Sequence, residues 1–156
     1  MKAATVRQLK VELKDQTQDE LIELCLRLSK FKKENKELLT YLLFESHNEA
    51  EYINQIKTEI SEQFSTINTK SYFYITKSVR KILRQLKIYV RYSGKKETEV
   101  ELLLFFCTEL KAFRPSINRN TTLTNLYDRQ IASIKKSIST LHEDLQYDYE
   151  LELEQL

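Results

Sequence analysis

Glycine and proline occur once each in 156 residues, and tryptophan does not occur at all. Hairpins and tight strand connections draw on Gly, Asn-Gly and Pro for their backbone geometry, so a β-rich fold is disfavoured and helices joined by short polar loops are expected. Phosphate-cradling loops also need several glycines, because backbone amides must approach the ligand closely. With Gly94 alone, P-loop and Rossmann-type nucleotide binding have no basis in this sequence.

Cysteine is scarce too. Cys25 and Cys107 each stand in apolar helical surroundings, which predicts two buried free thiols rather than a disulfide. Buried thiols keep a high pKa and are poor nucleophiles. The histidines, His47 and His142, are distant in sequence from each other and from the cysteines, so no zinc spacing emerges. Glu45 and His47 read as a polar interhelical turn. Glu97 and Glu101 share a helical face that Glu99 does not, and no ExxH pattern accompanies them. No catalytic residue, cofactor or metal is expected. The longest apolar run, LLLFFC at 102–107, is too short to cross a bilayer, and no apolar leader follows Met1. The expectation is a cytoplasmic protein with no membrane attachment.

What is present is helical. Hydrophobic residues make up 41% and charged residues 31%, enough for one well-solvated domain over 1–156 with a real core. Apolar spacing predicts about seven helices, all-α, as an antiparallel bundle or a short helical-pair superhelix. The first covers TVRQLKVELK. Thr17 and Glu20 form a capping box before a stripe of Leu21, Leu24, Leu28 and Phe31. KKEN at 32–35 separates this from ELLTYLLF, and Ser46 to Glu49 forms a second capping box before Ile53, Ile56, Ile60, Phe64 and Ile67. A fifth helix runs over about 71–92 and stops at Gly94, where a helix end favours a left-handed residue. The sixth, about 97–113, is apolar on nearly every side and belongs among its neighbours. Pro115 opens a loop. The seventh carries Tyr127, Ile131, Ile134, Ile138, Leu141 and Leu145 without a break. The tail QYDYELELEQL, 146–156, fits strand period and helix period alike.

The first 45 residues resemble a small bacterial all-helical family, a domain of unknown function. The resemblance rests on LKVELK (9–14), DELIEL (19–24), Leu28 and NKELLTYLLF (35–44). It implies a helical fold and supplies no activity. Thr5, Val6, Leu9, Lys10 and Leu13 also resemble the first helix of the SAP domain, a DNA-binding module, but its Gly-containing linker is missing here.

Charge is unevenly spread. The formal total is only +2, yet residues 63–96 hold nine Lys and Arg with no acid, and 143–156 hold six acids with no base. At 100° per residue, Lys77, Arg80, Lys81, Arg84, Lys87 and Arg91 fall in one arc of about 120°. Tyr72, Ile75, Val79, Ile82, Leu83, Leu86, Tyr89 and Val90 fill another. The basic stripe runs ~20 Å along the helix, with Ile88 among the charges. These six are the candidate binding residues. Three roles fit: an ion-pair surface neutralised by the acidic tail or by acidic helix faces, inside the fold or across a dimer; a dock for a protein partner, with the stripe or the tail as the recognition element; or a nucleic-acid surface with Tyr72, Tyr74, Tyr89 and Tyr92 available for stacking. The expectation is coupling between tail and stripe, in a non-enzymatic interaction or scaffold protein, with a nucleic-acid-binding domain as the alternative. Long apolar stripes on the fifth and seventh helices further predict self-association.

Overall fold

The computed structural model describes all 156 residues and contains eight α-helices and no strand. The chain forms two compact units, Met1–Phe44 and Glu45–Leu156, where the sequence reads as a single domain.

The first unit holds α1 (Val6–Lys14), α2 (Gln18–Phe31) and α3 (Lys33–Thr40). Thr5 caps α1, its side chain accepting from the Gln8 N–H, and Thr17 caps α2 in a box with Glu20 as its spacing predicts. Only Lys32 separates α2 from α3, so the expected KKEN break is a single extended residue. The Asn35 side chain bridges the turn by donating to the Leu28 carbonyl. A π-helical turn, Tyr41–Glu45, follows where one unit passes to the next. Tyr41 alone is buried in this unit. The α2 stripe is helical as expected but largely uncovered: Leu24, Leu28 and Phe31 are 39%, 61% and 77% exposed.

The second unit holds α4 (Glu49–Ser65), α5 (Tyr72–Ser93), α6 (Lys96–Ala112), α7 (Thr121–Ile138) and α8 (Glu143–Glu154). The cap of α4 is Asn48 rather than Ser46; its side chain accepts from the Glu51 N–H. Helix α6 packs against α4, α5, α7 and α8, and Val100, Leu102, Leu103, Leu104, Phe106, Cys107 and Leu110 are all buried. A helix apolar on every side takes the central place because only there is every side covered. Phe64 of α4 meets Phe106 at 5.7 Å. The apolar faces of α5 and α7 are used here too: Ile75, Val79, Ile82 and Leu86, with Leu123, Ile134 and Ile138, are buried inside the chain's own core.

The eighth helix arises because the seventh stops early. The Ser139 and Thr140 hydroxyls donate to the carbonyls of Lys136 and Ser137, each at 2.7 Å. Such local bonds compete with the helical ladder. His142 then caps a new helix whose first turn carries Glu143 and Asp144, the sign that its N-terminal dipole favours. The tail is therefore helical. Tyr149 is buried and Leu145 and Leu153 are half-buried on one face, whereas Tyr147 and Leu151 are exposed.

No helix is long and apolar enough to cross a membrane. Cys107 is buried as expected. Cys25 is exposed, because α2 lacks a covering neighbour on much of its surface.

Candidate nucleic-acid interface

Helix α5 is the longest in the chain, at 22 residues, and its C-terminus closes on Gly94 with φ 67°, the glycine N–H donating to the Val90 carbonyl at 2.9 Å. Two tyrosine hydroxyls fix its orientation. Tyr52 donates to the Tyr89 carbonyl at 2.9 Å, and Tyr72 donates to the Ser116 carbonyl at 2.7 Å. With Ile75, Val79, Ile82, Leu83 and Leu86 pinned inward, the opposite arc must face outward. Lys77, Arg80, Lys81, Arg84, Lys87 and Arg91 are all exposed, together on one face as the spacing predicts.

None of the six takes part in an ion pair. The expected neutralisation by the tail is not what the fold does. Helix α8 packs on α6 and α7, where its Tyr149 hydroxyl donates to Glu97 at 3.3 Å. Burial, with the negative charges of Glu97 and Glu101 next, pushes that phenol well above its ordinary range. The charged groups around it belong to a separate cleft of about 560 Å³, lined by Lys57, Glu97, Glu101, Asp148 and Glu152 among others. There Lys57 bonds Glu101 at 2.6 Å and lies over the Phe105 ring.

Two open clefts run along the basic face. One, about 510 Å³, is lined by Tyr72, Phe73, Thr76, Lys77, Arg80 and Arg84, with Asn120 and Thr122 from the start of α7. The other, about 670 Å³, is lined by Arg80, Leu83, Arg84, Lys87, Ile88 and Arg91. Cationic side chains thus border both clefts, and neutral hydrogen-bonding groups line the first.

The stacking candidates sort differently from the sequence reading. Tyr92 is buried, and Tyr89 donates to both carboxylate oxygens of Glu59, at 3.1 and 2.9 Å. Tyr74 is 45% exposed and Phe73 is 72% exposed, the two rings meeting edge to face at 5.5 Å. Phe73 was missed, although it falls in the same arc as the six cations at 100° per residue. Asn120 and Thr122 arrive through tertiary packing and had no signal in the sequence.

The remaining chemistry is sparse. No group of three His, Cys, Asp or Glu side chains is placed to hold a metal. His142 is engaged as the α8 cap. The chain was compared with protein-family models, with curated proteins and with solved structures, and none matches.

Proposed function

We propose that this chain is a non-enzymatic helical interaction module, its second unit an antiparallel bundle around α6, and that the exposed face of α5 binds the phosphate backbone of a nucleic acid. One observation carries the reading: six exposed cations on one helical face have no carboxylate partner, while α8, which carries six acids, packs on α6 and α7. Repulsion among like charges is tolerated at a surface built to meet the opposite sign. Three arginines provide bidentate forks for phosphate, and Phe73 and Tyr74 offer ring faces at the N-terminal end of the stripe. An α-helix also fits the major groove of a duplex.

Fluorescence anisotropy with labelled duplex and single-stranded oligonucleotides over a salt series tests this. Roughly four phosphate contacts give a log–log slope near −3.6 on duplex DNA. Arg80→Glu, Arg84→Glu and Arg91→Glu together should abolish binding and leave the melting temperature nearly unchanged, because no internal partner is lost. Absence of salt-dependent binding to either oligonucleotide at low ionic strength would sink the proposal.

Ile88 favours a second reading. It is half-buried among Arg84, Lys87 and Arg91, and an apolar contact inside a basic cleft suits an acidic peptide with one hydrophobic anchor. In that case both oligonucleotides are ignored, and an acidic helical peptide binds and is lost on Ile88→Asp.

A further inference from the structure

Five of the cations on α5 stand in one row with an exposed ring at its end. At about 100° per residue, Phe73 shares its angle with Arg91 and lies within about 40° of Lys77, Arg80, Arg84 and Lys87. From Phe73 to Arg91 the row rises ~27 Å. The two clefts along it share Arg80 and Arg84, and no carboxylate lines either of them. A linear polyanion therefore meets a continuous track, and the track ends on an aromatic side chain.

The surroundings of that ring offer more than charge. Phe73 is 72% exposed, and Tyr74 braces it edge to face at 5.5 Å. Asn120 and Thr122 line the same cleft from the start of α7. This wall is tied in place: the Tyr72 hydroxyl donates to the Ser116 carbonyl at 2.7 Å, and the Asn120 N–H donates to the Ile117 carbonyl at 2.9 Å. Asn120 accepts the Leu123 N–H through Oδ1 at 3.0 Å, which fixes the amide and leaves its Nδ2 hydrogens to donate. The Thr122 hydroxyl can donate or accept. Cations alone fit a phosphate; a ring, an amide donor and a hydroxyl beside them fit a phosphate that carries a base. An aromatic side chain stacks on the face of a base, and inside a duplex both faces are covered by neighbouring pairs. An unpaired base leaves a face open.

Resting on the phosphate-binding role of α5, we propose that this cleft seats an unpaired base, with its face on Phe73 and its edge at Asn120 and Thr122. The α5 face then prefers a single strand, DNA or RNA, to a duplex. The continuation of the row to Arg91 calls for a strand and not a lone nucleotide, because Lys87 and Arg91 lie beyond the reach of one phosphate group in the first cleft.

Filter binding of the full chain to a labelled oligothymidylate, an oligouridylate and a closed circular duplex, compared per phosphate, tests this. At least one strand should bind more tightly than the duplex, and the tighter of the two decides between DNA and RNA. Phe73→Ala should weaken strand binding by about 5- to 150-fold, the range for one stacked base. It should leave the duplex affinity and the salt slope unchanged, since phosphate contacts alone set that slope. Phe73→Trp gives the chain its only indole, whose fluorescence the strand should quench and the duplex should not. The position is exposed, and an unchanged melting temperature will verify that each variant folds. Strands that bind no better than the duplex, or that are indifferent to Phe73→Ala, overturn the inference and leave phosphate binding standing. A mononucleotide that competes as well as the whole strand overturns it too. A wild-type chain that binds none of the three ligands overturns both readings.

Discussion

Cys107 shows what burial does to one atom. It sits in α6 with no exposure, and burial alone pushes its thiol from 9.0 up to about 12. The unfolded chain then releases this proton at lower pH than the folded one. A raised folded pKa means that the stabilisation is fully present below about pH 9 and is lost as the pH climbs towards about 12. Each unit of pH in that window removes up to ~1.4 kcal/mol from this group. Cys107→Ala is expected to cost about 1 kcal/mol near neutral pH through the space it leaves. The gap between the wild type and this variant should shrink above about pH 8.5, close between about pH 9.5 and 10, and reverse by about pH 10.5, read from urea midpoints. A gap that stays constant over that interval would place the thiol in water instead. Cys25 has the same chemistry and no such shelter. Its run of apolar neighbours in sequence was a sound sign of a helix and a poor sign of a core, because periodicity reports which residues share a face and not what covers that face.

Among the elements, α5 was the most legible. Its bounds, its buried arc, its six cations and its glycine stop all follow from 100° arithmetic and the paucity of Gly. The stop itself can be tested. Gly94 has φ 67°, and a Cβ placed there meets nothing within 4 Å. The cost of Gly94→Ala is therefore left-handed backbone strain alone, about 1 kcal/mol, which lowers the melting temperature by about 2–4 °C. A drop several times larger in a thermal melt would require a clash that the surroundings do not contain. Two other ends were misread for a common reason. Ser46 and Asn48 both offer capping oxygens, and spacing could not choose between them. The 4-3 apolar rhythm through Leu141 and Leu145 masked a break made by two hydroxyls bonding their own backbone. The basic face was readable from spacing, but Asn120 and Thr122 come from another helix, and no local pattern encodes that approach.

For the whole molecule, the most telling pair of facts is that near-neutrality and strong local charge coexist. Within Glu45–Leu156, six unpaired cations line one helix, while the six acids of α8 lie on a helix packed elsewhere. The sequence disclosed both groups and suggested that they cancel; packing keeps them apart because α8 follows its Tyr149 face onto α6 and α7 and not its charge. A body with a net charge of +2 and two separate poles is an electric dipole. Ion-exchange resins interact with local patches within about a Debye length, not with the net charge alone. At one pH near neutrality and low salt, the chain should be retained by both a cation exchanger and an anion exchanger, presenting a different face to each. Arg80→Glu, Arg84→Glu and Arg91→Glu together should abolish retention on the first and strengthen it on the second. Flow-through on both resins for the wild type would mean that the two poles cancel in solution after all.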